Sequence, residues 1–348
     1  MAKSVEFSIF RGSENGEIIP TTIRRTLQPR EVLVEISHAG LCGKDRAFRH
    51  QPIALGHEGA GFVRDVGAAV HRFKSGDKVG FGWVQKICGH CDYCVGGKDQ
   101  YCECRQEYGS DQDNGGAFAT HAVWDERMLF HLPASLEPEH AAPLMGGGAT
   151  AWTALTASDM RPGDRVGVQG IGGTGHMAIQ FASALGYEVV ALSTNADKRD
   201  EAISLGAKEF HLLKDGAPVD RCAQVKHLLW FGTEAPDLTR ALSLVACDGT
   251  LHLLASYDPL PLPVDALVQR GIKIQGSAAA SRQEIRQMLR FVSLHGIRPI
   301  IISWPMTKDG IEAGFKVMEE GKMRYRGVLV SQRYLMGKPV VERLGRAD

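Results

Sequence analysis

The chain has 348 residues, with Lys+Arg 40 against Asp+Glu 40, and is 44% hydrophobic and 23% charged. This length suits two domains, each with its own core, and this composition excludes a disordered chain. Balanced charge leaves no field to draw nucleic acid or an anionic membrane, and no run reaches the roughly eighteen apolar residues of a membrane span. Met1-Ala2-Lys3-Ser4-Val5-Glu6 lacks the apolar stretch of a secretion signal, so a cytoplasmic enzyme acting on a small molecule is expected.

In chain order, the first part reads as short strands broken by Gly, Pro and Asp. Glu31–Ile36 and Gly59–Val63 carry near-alternating apolar residues, and Lys74–Asp77 is turn chemistry. An irregular β domain is predicted. Ala-rich helical sequence begins near Ala149. Strands and helices then alternate: Val166–Gln169, a helix burying Ala178, Phe181, Ala182 and Leu185, Glu188–Ser193, and a charged helix over Asp197–Leu205. Strands follow near Glu209–Leu213, Lys226–Phe231, Thr250–Ala255 and Ile272–Gly276. This βαβα order predicts a doubly wound parallel sheet, an α/β fold. A helix over Arg282–Leu294 and short strands at Pro299–Ile302 and Gly327–Val330 complete it, and the basic segment after Ser331 reads as a loose extension.

Cys88, Cys91, Cys94 and Cys102 stand at C-x2-C-x2-C-x7-C. Thiolates suit a closed tetrahedral zinc, and eight randomly placed cysteines would give this spacing with a probability of about 10⁻⁴. With no ligand position left for water, this zinc is structural. Cys104, Cys222 and Cys247 have no partner at ligand spacing and are expected as buried small side chains.

Gly170-Ile171-Gly172-Gly173-Thr174-Gly175 contains G-x-G-x-x-G. Alone it is weak, since about half a match arises by chance in so glycine-rich a chain. Its context is specific: it follows a predicted strand and opens a predicted helix, which places a pyrophosphate at a helix N-terminus. The next strand ends in Ser193, Thr194 and Asn195, with Lys198 and Arg199 a short loop later. An acidic residue there would grip the ribose hydroxyls of NAD. Hydroxyls, an amide and cations suit a 2′-phosphate, so NADP(H) is the expected cofactor, with Asp197 read as a helix cap.

These motifs, with Gly40-Leu41-Cys42-Gly43-Lys44-Asp45, Gly56-His57-Glu58, Gly276-Ser277 and Arg324-Tyr325-Arg326, carry a family resemblance. The chain resembles a medium-chain dehydrogenase/reductase of the zinc-containing alcohol dehydrogenase type, nearest the cinnamyl alcohol dehydrogenase and NADP-dependent aldehyde reductase branch. The resemblance implies a GroES-like catalytic domain from residues 1–150 and 287–348, with a zinc lobe at 86–104. It implies a Rossmann domain over 151–286 and a homodimer. It also implies that Gly276 and Ser277 lie near the nicotinamide and that Arg326 reaches the cofactor phosphates.

The chain departs from the family at its catalytic metal. The family's zinc takes Cys from the first motif, His from Gly-His-Glu and a second Cys ahead of the Rossmann domain. Cys42 and His57 match, but Gly146 occupies the third position, leaving Glu58 to substitute. Lys44 stands where the family has a proton-relaying Ser or Thr, and an ammonium beside Zn²⁺ is repelled. The leading expectation is therefore a site without catalytic zinc, in which Lys44 pairs with Glu58 or Asp45 near the vacant position and assists hydride transfer from NADPH to an activated carbonyl, a conjugated C=C or an iminium. Two alternatives stand beside it: a zinc-dependent aldehyde reductase using Cys42, His57 and Glu58, and a non-redox scaffold or cyclase/isomerase on the same fold.

Overall fold

The computed structural model describes residues 3–110, 115–156, 159–213, 224–232, 234–257 and 259–335. The chain forms two compact units, one comprising Met1–Cys88, Cys104–Met145 and Ile300–Asp348, the other Gly89–Glu103 and Gly146–Pro299. The later boundary thus falls at Pro299, not at 287. The helix Arg282–His295 belongs whole to the second unit, where Phe291 packs on Trp152 at 4.9 Å. The lobe residues 89–103 also group with the second unit.

The first unit is built on a seven-stranded sheet in the order Ile301–Pro305, Arg326–Val330, Glu31–Leu41, Gly59–Val66, Lys78–Phe81, Phe130–His131, with His121–Asp125 also pairing Glu31–Leu41. Glu31–Leu41 is buried on both faces over most of its length, so the alternation visible near its start gives way to a continuous apolar run. Register decides what its end meets. Leu41 is paired with Gly327 and Ala39 with Gly59. Cys42, Glu58 and Arg326, each one residue beyond these pairs, therefore emerge together at one end of three adjacent strands.

The second unit is a six-stranded parallel sheet in the order Glu209–Leu212, Glu188–Ser193, Arg165–Gln169, Val225–Trp230, Val245–Leu253, Lys273–Gly276. The first strand in sequence is third in space, and the chain winds away from it in both directions, the doubly wound arrangement expected. Gln169 is level with Leu192 on one side and Trp230 on the other, so the glycine turn leaves the sheet at the switch point. The helix Gly175–Ala184 is buried nearly all round, with Met177 and Ile179 inside as well as Ala178, Phe181 and Ala182. Arg282–His295 shows the ordinary amphipathic pattern instead: Ile285, Met288, Leu289 and Val292 are buried, Ser281 and Glu284 form a capping box, and Gly296 closes the helix at φ +65°. Cys104 and Cys247 are exposed, not buried, and Cys222 lies outside the described residues. The extension after Ser331 begins as a short helix, Gln332–Leu335, with Tyr334 stacked on Phe62; residues 336–348 also lie outside the description. No helix among the described residues is long and apolar enough to cross a membrane.

Candidate active site and metal clusters

In the four-cysteine lobe, the donor atoms of Cys88, Cys91, Cys94 and Cys102 all lie within 4.8 Å of one another. A tetrahedral zinc with ~2.3 Å bonds needs sulfurs about 3.8 Å apart, so the set fits such an ion. Short local turns bring the sulfurs together. Cys91 precedes the one-turn helix Asp92–Val95, Cys94 lies within it, and Asp99–Tyr101 forms a 3₁₀ turn that ends at Cys102. Buried Asp99 fastens this turn to the second unit. It accepts from Arg282 three times, from the backbone N–H at 2.7 Å, Nε at 2.9 Å and Nη2 at 3.0 Å.

Cys42, His57 and Glu58 form a second group whose donor atoms lie within 4.8 Å of one another. Cys42 precedes the helix Gly43–Phe48, and its Sγ lies 3.6 Å from His57 Nε2. Glu58 Oε1 is 3.8 Å from the same nitrogen. Asp45, fully buried, serves both neighbours: Oδ2 accepts the Cys42 backbone N–H at 2.8 Å, and Oδ1 pairs with His57 Nδ1 at 3.1 Å. Burial opposes charge on His57, yet the carboxylate of Asp45 and the sulfur of Cys42 outweigh it and raise the imidazole pKa well above its ordinary value. Glu58 Oε2 accepts from the guanidinium of Arg326, and both side chains are buried. A thiol, an imidazole and a carboxylate, each oriented by a further group, make a donor set that fits a divalent metal with an open position.

Lys44 does not join this group. It is exposed, its ammonium sits over Trp83 at 5.5 Å from the ring centroid, and it makes no ion pair among the described residues. The expected pairing with Glu58 or Asp45 is not made, because Arg326 holds one carboxylate and His57 with the Cys42 N–H holds the other. The ammonium stays exposed over an aromatic face. Arg326, assigned by resemblance to the cofactor phosphates, has its side chain buried against Glu58. Gly146 lies in a π-type turn, Leu144–Gly148, where it offers only its carbonyl, which accepts from Thr150 Oγ1 at 3.0 Å.

Around His57 the first unit places three aromatic rings. Trp83 meets it edge-on at 5.4 Å, Tyr108 is at 5.5 Å, and Phe48 touches both, at 5.9 Å from Trp83 and 4.9 Å from Tyr108. Burial, reinforced by the charge of Asp45, pushes the Tyr108 phenol pKa well up. Trp152 is a core residue of the second unit, packed on Phe181 and Phe291.

In the second unit, Gly170 has φ +89°, and a Cβ at Gly175 would meet the carbonyl oxygen of Gly170 at 2.0 Å, so both positions require glycine. A Cβ at Gly172 would meet nothing within 4 Å, which leaves its backbone open to a ligand. Gly173 and Thr174 complete the turn, with Thr174 immediately before the helix. Ser193 is buried and its Oγ accepts from the Asn195 backbone, while Thr194 is exposed. Asn195, not Asp197, caps the following turn, its Oδ1 accepting the Asp197 N–H at 2.9 Å. Lys198 Nζ donates to the Ile171 carbonyl at 2.6 Å, which brings the cation to the glycine turn. Gly276 ends its strand exposed, and the Ser277 N–H donates to Leu253. Spacing along the chain gave no sign of the Arg326–Glu58 and Arg282–Asp99 pairs or of the site of Tyr108. Each depends on partners remote in sequence.

A β unit that gathers Cys, His and Glu at one end of its strands, with a doubly wound unit carrying a glycine turn, defines a two-domain nucleotide-dependent oxidoreductase. The family profile of the alcohol dehydrogenase GroES-like domain matches residues 28–134, and that of the zinc-binding dehydrogenase matches residues 173–293. The chain is 34% identical over 325 residues to a probable formaldehyde dehydrogenase of Bacillus subtilis, covering 89% of this chain and 93% of that protein. It is 32% identical over 334 residues to an NADP-dependent alcohol dehydrogenase C of Mycolicibacterium smegmatis, covering 91% and 95%. A solved cinnamyl alcohol dehydrogenase of Sorghum bicolor superposes with TM-score 0.86 at 28% identity, over 94% of this chain and 98% of that one. The chain belongs to the zinc-containing alcohol dehydrogenase family of medium-chain dehydrogenases/reductases.

Proposed function

We propose that this chain is an NADP(H)-dependent alcohol dehydrogenase or aldehyde reductase, with one structural zinc at Cys88, Cys91, Cys94 and Cys102 and a catalytic zinc held by Cys42, His57 and Glu58. The observation that carries this reading is the grouping of those three donors with Lys44 turned out over Trp83, which removes the charge repulsion that argued against a metal. Bound there, zinc supplies a Lewis acid that polarises a carbonyl oxygen. NADPH supplies the hydride.

The chain's own residues do the rest. Asp45 fixes the ring orientation of His57 and leaves Nε2 facing Cys42 and Glu58. Arg326 neutralises one carboxylate oxygen of Glu58 and holds the side chain in place. Lys198, beside the glycine turn, and the exposed Thr194 and Asn195 support binding of a 2′-phosphate, as does the NADP dependence of the Mycolicibacterium relative. A homodimer is supported by the exposed Leu262, Val264 and Val268, which flank or lie on the helix before the edge strand Lys273–Gly276.

A second reading, a reductase of activated double bonds without catalytic zinc, is favoured by the Arg326–Glu58 pair, since a guanidinium already neutralises that ligand. Metal analysis with turnover separates the two. Two zinc ions per chain, with NADPH consumed by simple aldehydes, is the expected result; one zinc, with turnover only of conjugated acceptors, establishes the second reading. Lys198→Ala should reduce the preference for NADPH over NADH by about 1.5–3 kcal/mol and leave NADH binding nearly unchanged. Equal affinity of the unmodified chain for both cofactors removes the NADP assignment.

A further inference from the structure

Tyr108 follows the short strand Gln106–Glu107, and its backbone N–H donates to the Trp83 carbonyl at 2.9 Å. Its ring is fixed between Phe48, Trp83 and His57, the residue is 4% exposed, and its hydroxyl meets no hydrogen-bond acceptor among the described residues. The Gly56 backbone N–H faces the phenol oxygen as a donor, and the Gly56 carbonyl accepts from Ala117 at 2.8 Å, so neither takes the phenol proton. A buried hydroxyl with nothing to donate to is rare in folded proteins and calls for an explanation. Here it stands beside the Cys42, His57 and Glu58 group, in a chain where the relay hydroxyl expected two residues after Cys42 is replaced by the exposed Lys44.

We propose that the Tyr108 hydroxyl donates a hydrogen bond to the oxygen of the bound aldehyde or alcohol and is a catalytic residue of this chain. The inference rests on the aldehyde reductase reading. As hydride reaches the carbonyl carbon, the carbonyl π pair moves onto oxygen, and a fixed donor aimed at that oxygen stabilises the transition state more than the ground state. The phenol keeps its proton throughout, and the alkoxide is protonated from solvent. Fixed rings on three sides hold the donor in place without a second hydrogen bond.

The test is Tyr108→Phe, which keeps every ring contact and deletes one oxygen. For aldehyde reduction, kcat/KM should fall on the order of 10²-fold, with the KM for NADPH and the thermal midpoint unchanged. In parallel, a simple carboxamide, an unreactive aldehyde mimic, is titrated calorimetrically into the chain–NADPH complex, and the variant should bind it roughly tenfold more weakly. Equal carboxamide binding by both proteins, or by neither, overturns the proposal. So does a fall in the thermal midpoint, which would mark the hydroxyl as a structural bond. If the unmodified chain reduces no aldehyde, the functional reading fails, and the carboxamide comparison still decides the role of Tyr108.

Discussion

The molecule carries two sulfur-bearing clusters, and they are built on opposite principles. The lobe takes four like donors from fifteen consecutive residues, Cys88 to Cys102, and turns them toward one point with local hydrogen bonds. The Cys42, His57 and Glu58 group takes three unlike donors from two strand ends, and two of the three are already engaged by another side chain, Asp45 or Arg326. The first is shaped by short-range turns, with the Arg282–Asp99 pair and the Arg127 bond to the Cys88 carbonyl as anchors. The second has a hydrogen-bonded frame of its own. A metal should therefore contribute to folding in the lobe and to chemistry in the strand-end group.

The largest effect that can break this comparison is loss of a lobe thiolate. Cys91→Ser should release the lobe metal and destabilise the chain by something on the order of 5 kcal/mol, read by metal analysis and denaturant unfolding. Unchanged stability would mean that the lobe folds without its ion. Next comes the anchor: Arg282→Ala leaves the Asp99 carboxylate buried without its cation, keeping only the backbone N–H of residue 282, and should cost about 3 kcal/mol. The lobe metal should stay bound, which separates anchoring from ligation. The smallest effect is at the other cluster. Asp45→Asn should weaken metal retention there by about 10–100-fold and leave the lobe metal in place. Equal loss from both clusters on dialysis against a chelator would erase the distinction drawn above.

The lobe and the doubly wound sheet were legible because their signals are local. Thiolate spacing within one loop, and a glycine turn between a strand and a helix, depend on neighbours in sequence. The strand-end group was legible only as a set of candidates. Cys42, His57 and Glu58 could be named from motifs, but the direction of Lys44 depends on which cations and carboxylates the fold has already matched. That matching was made by Arg326, placed through the Leu41–Gly327 register at the far end of the chain. Tyr108 gave no signal, because an aromatic residue after a charged loop looks the same whether its hydroxyl meets solvent or a reacting atom. The β domain's irregularity also hid the N-terminal hairpin, Ser4–Arg11 with Ile19–Thr26, whose second strand is largely polar.

Gly40 lies on the strand that leads to Cys42, and its N–H donates to the Glu58 carbonyl at 2.8 Å. A Cβ there would stand 2.1 Å from Glu58 Oε2 and 3.0 Å from Glu58 Cβ. Glu58 is 1% exposed, so even alanine would crowd its carboxylate against its contact with Arg326. Every missense change at this codon therefore tells on the strand-end group, although the residue has no chemistry of its own. In a lineage drifting under selection for activity, position 40 would stay silent while the surrounding strand varied, and its constancy would record the carboxylate behind it.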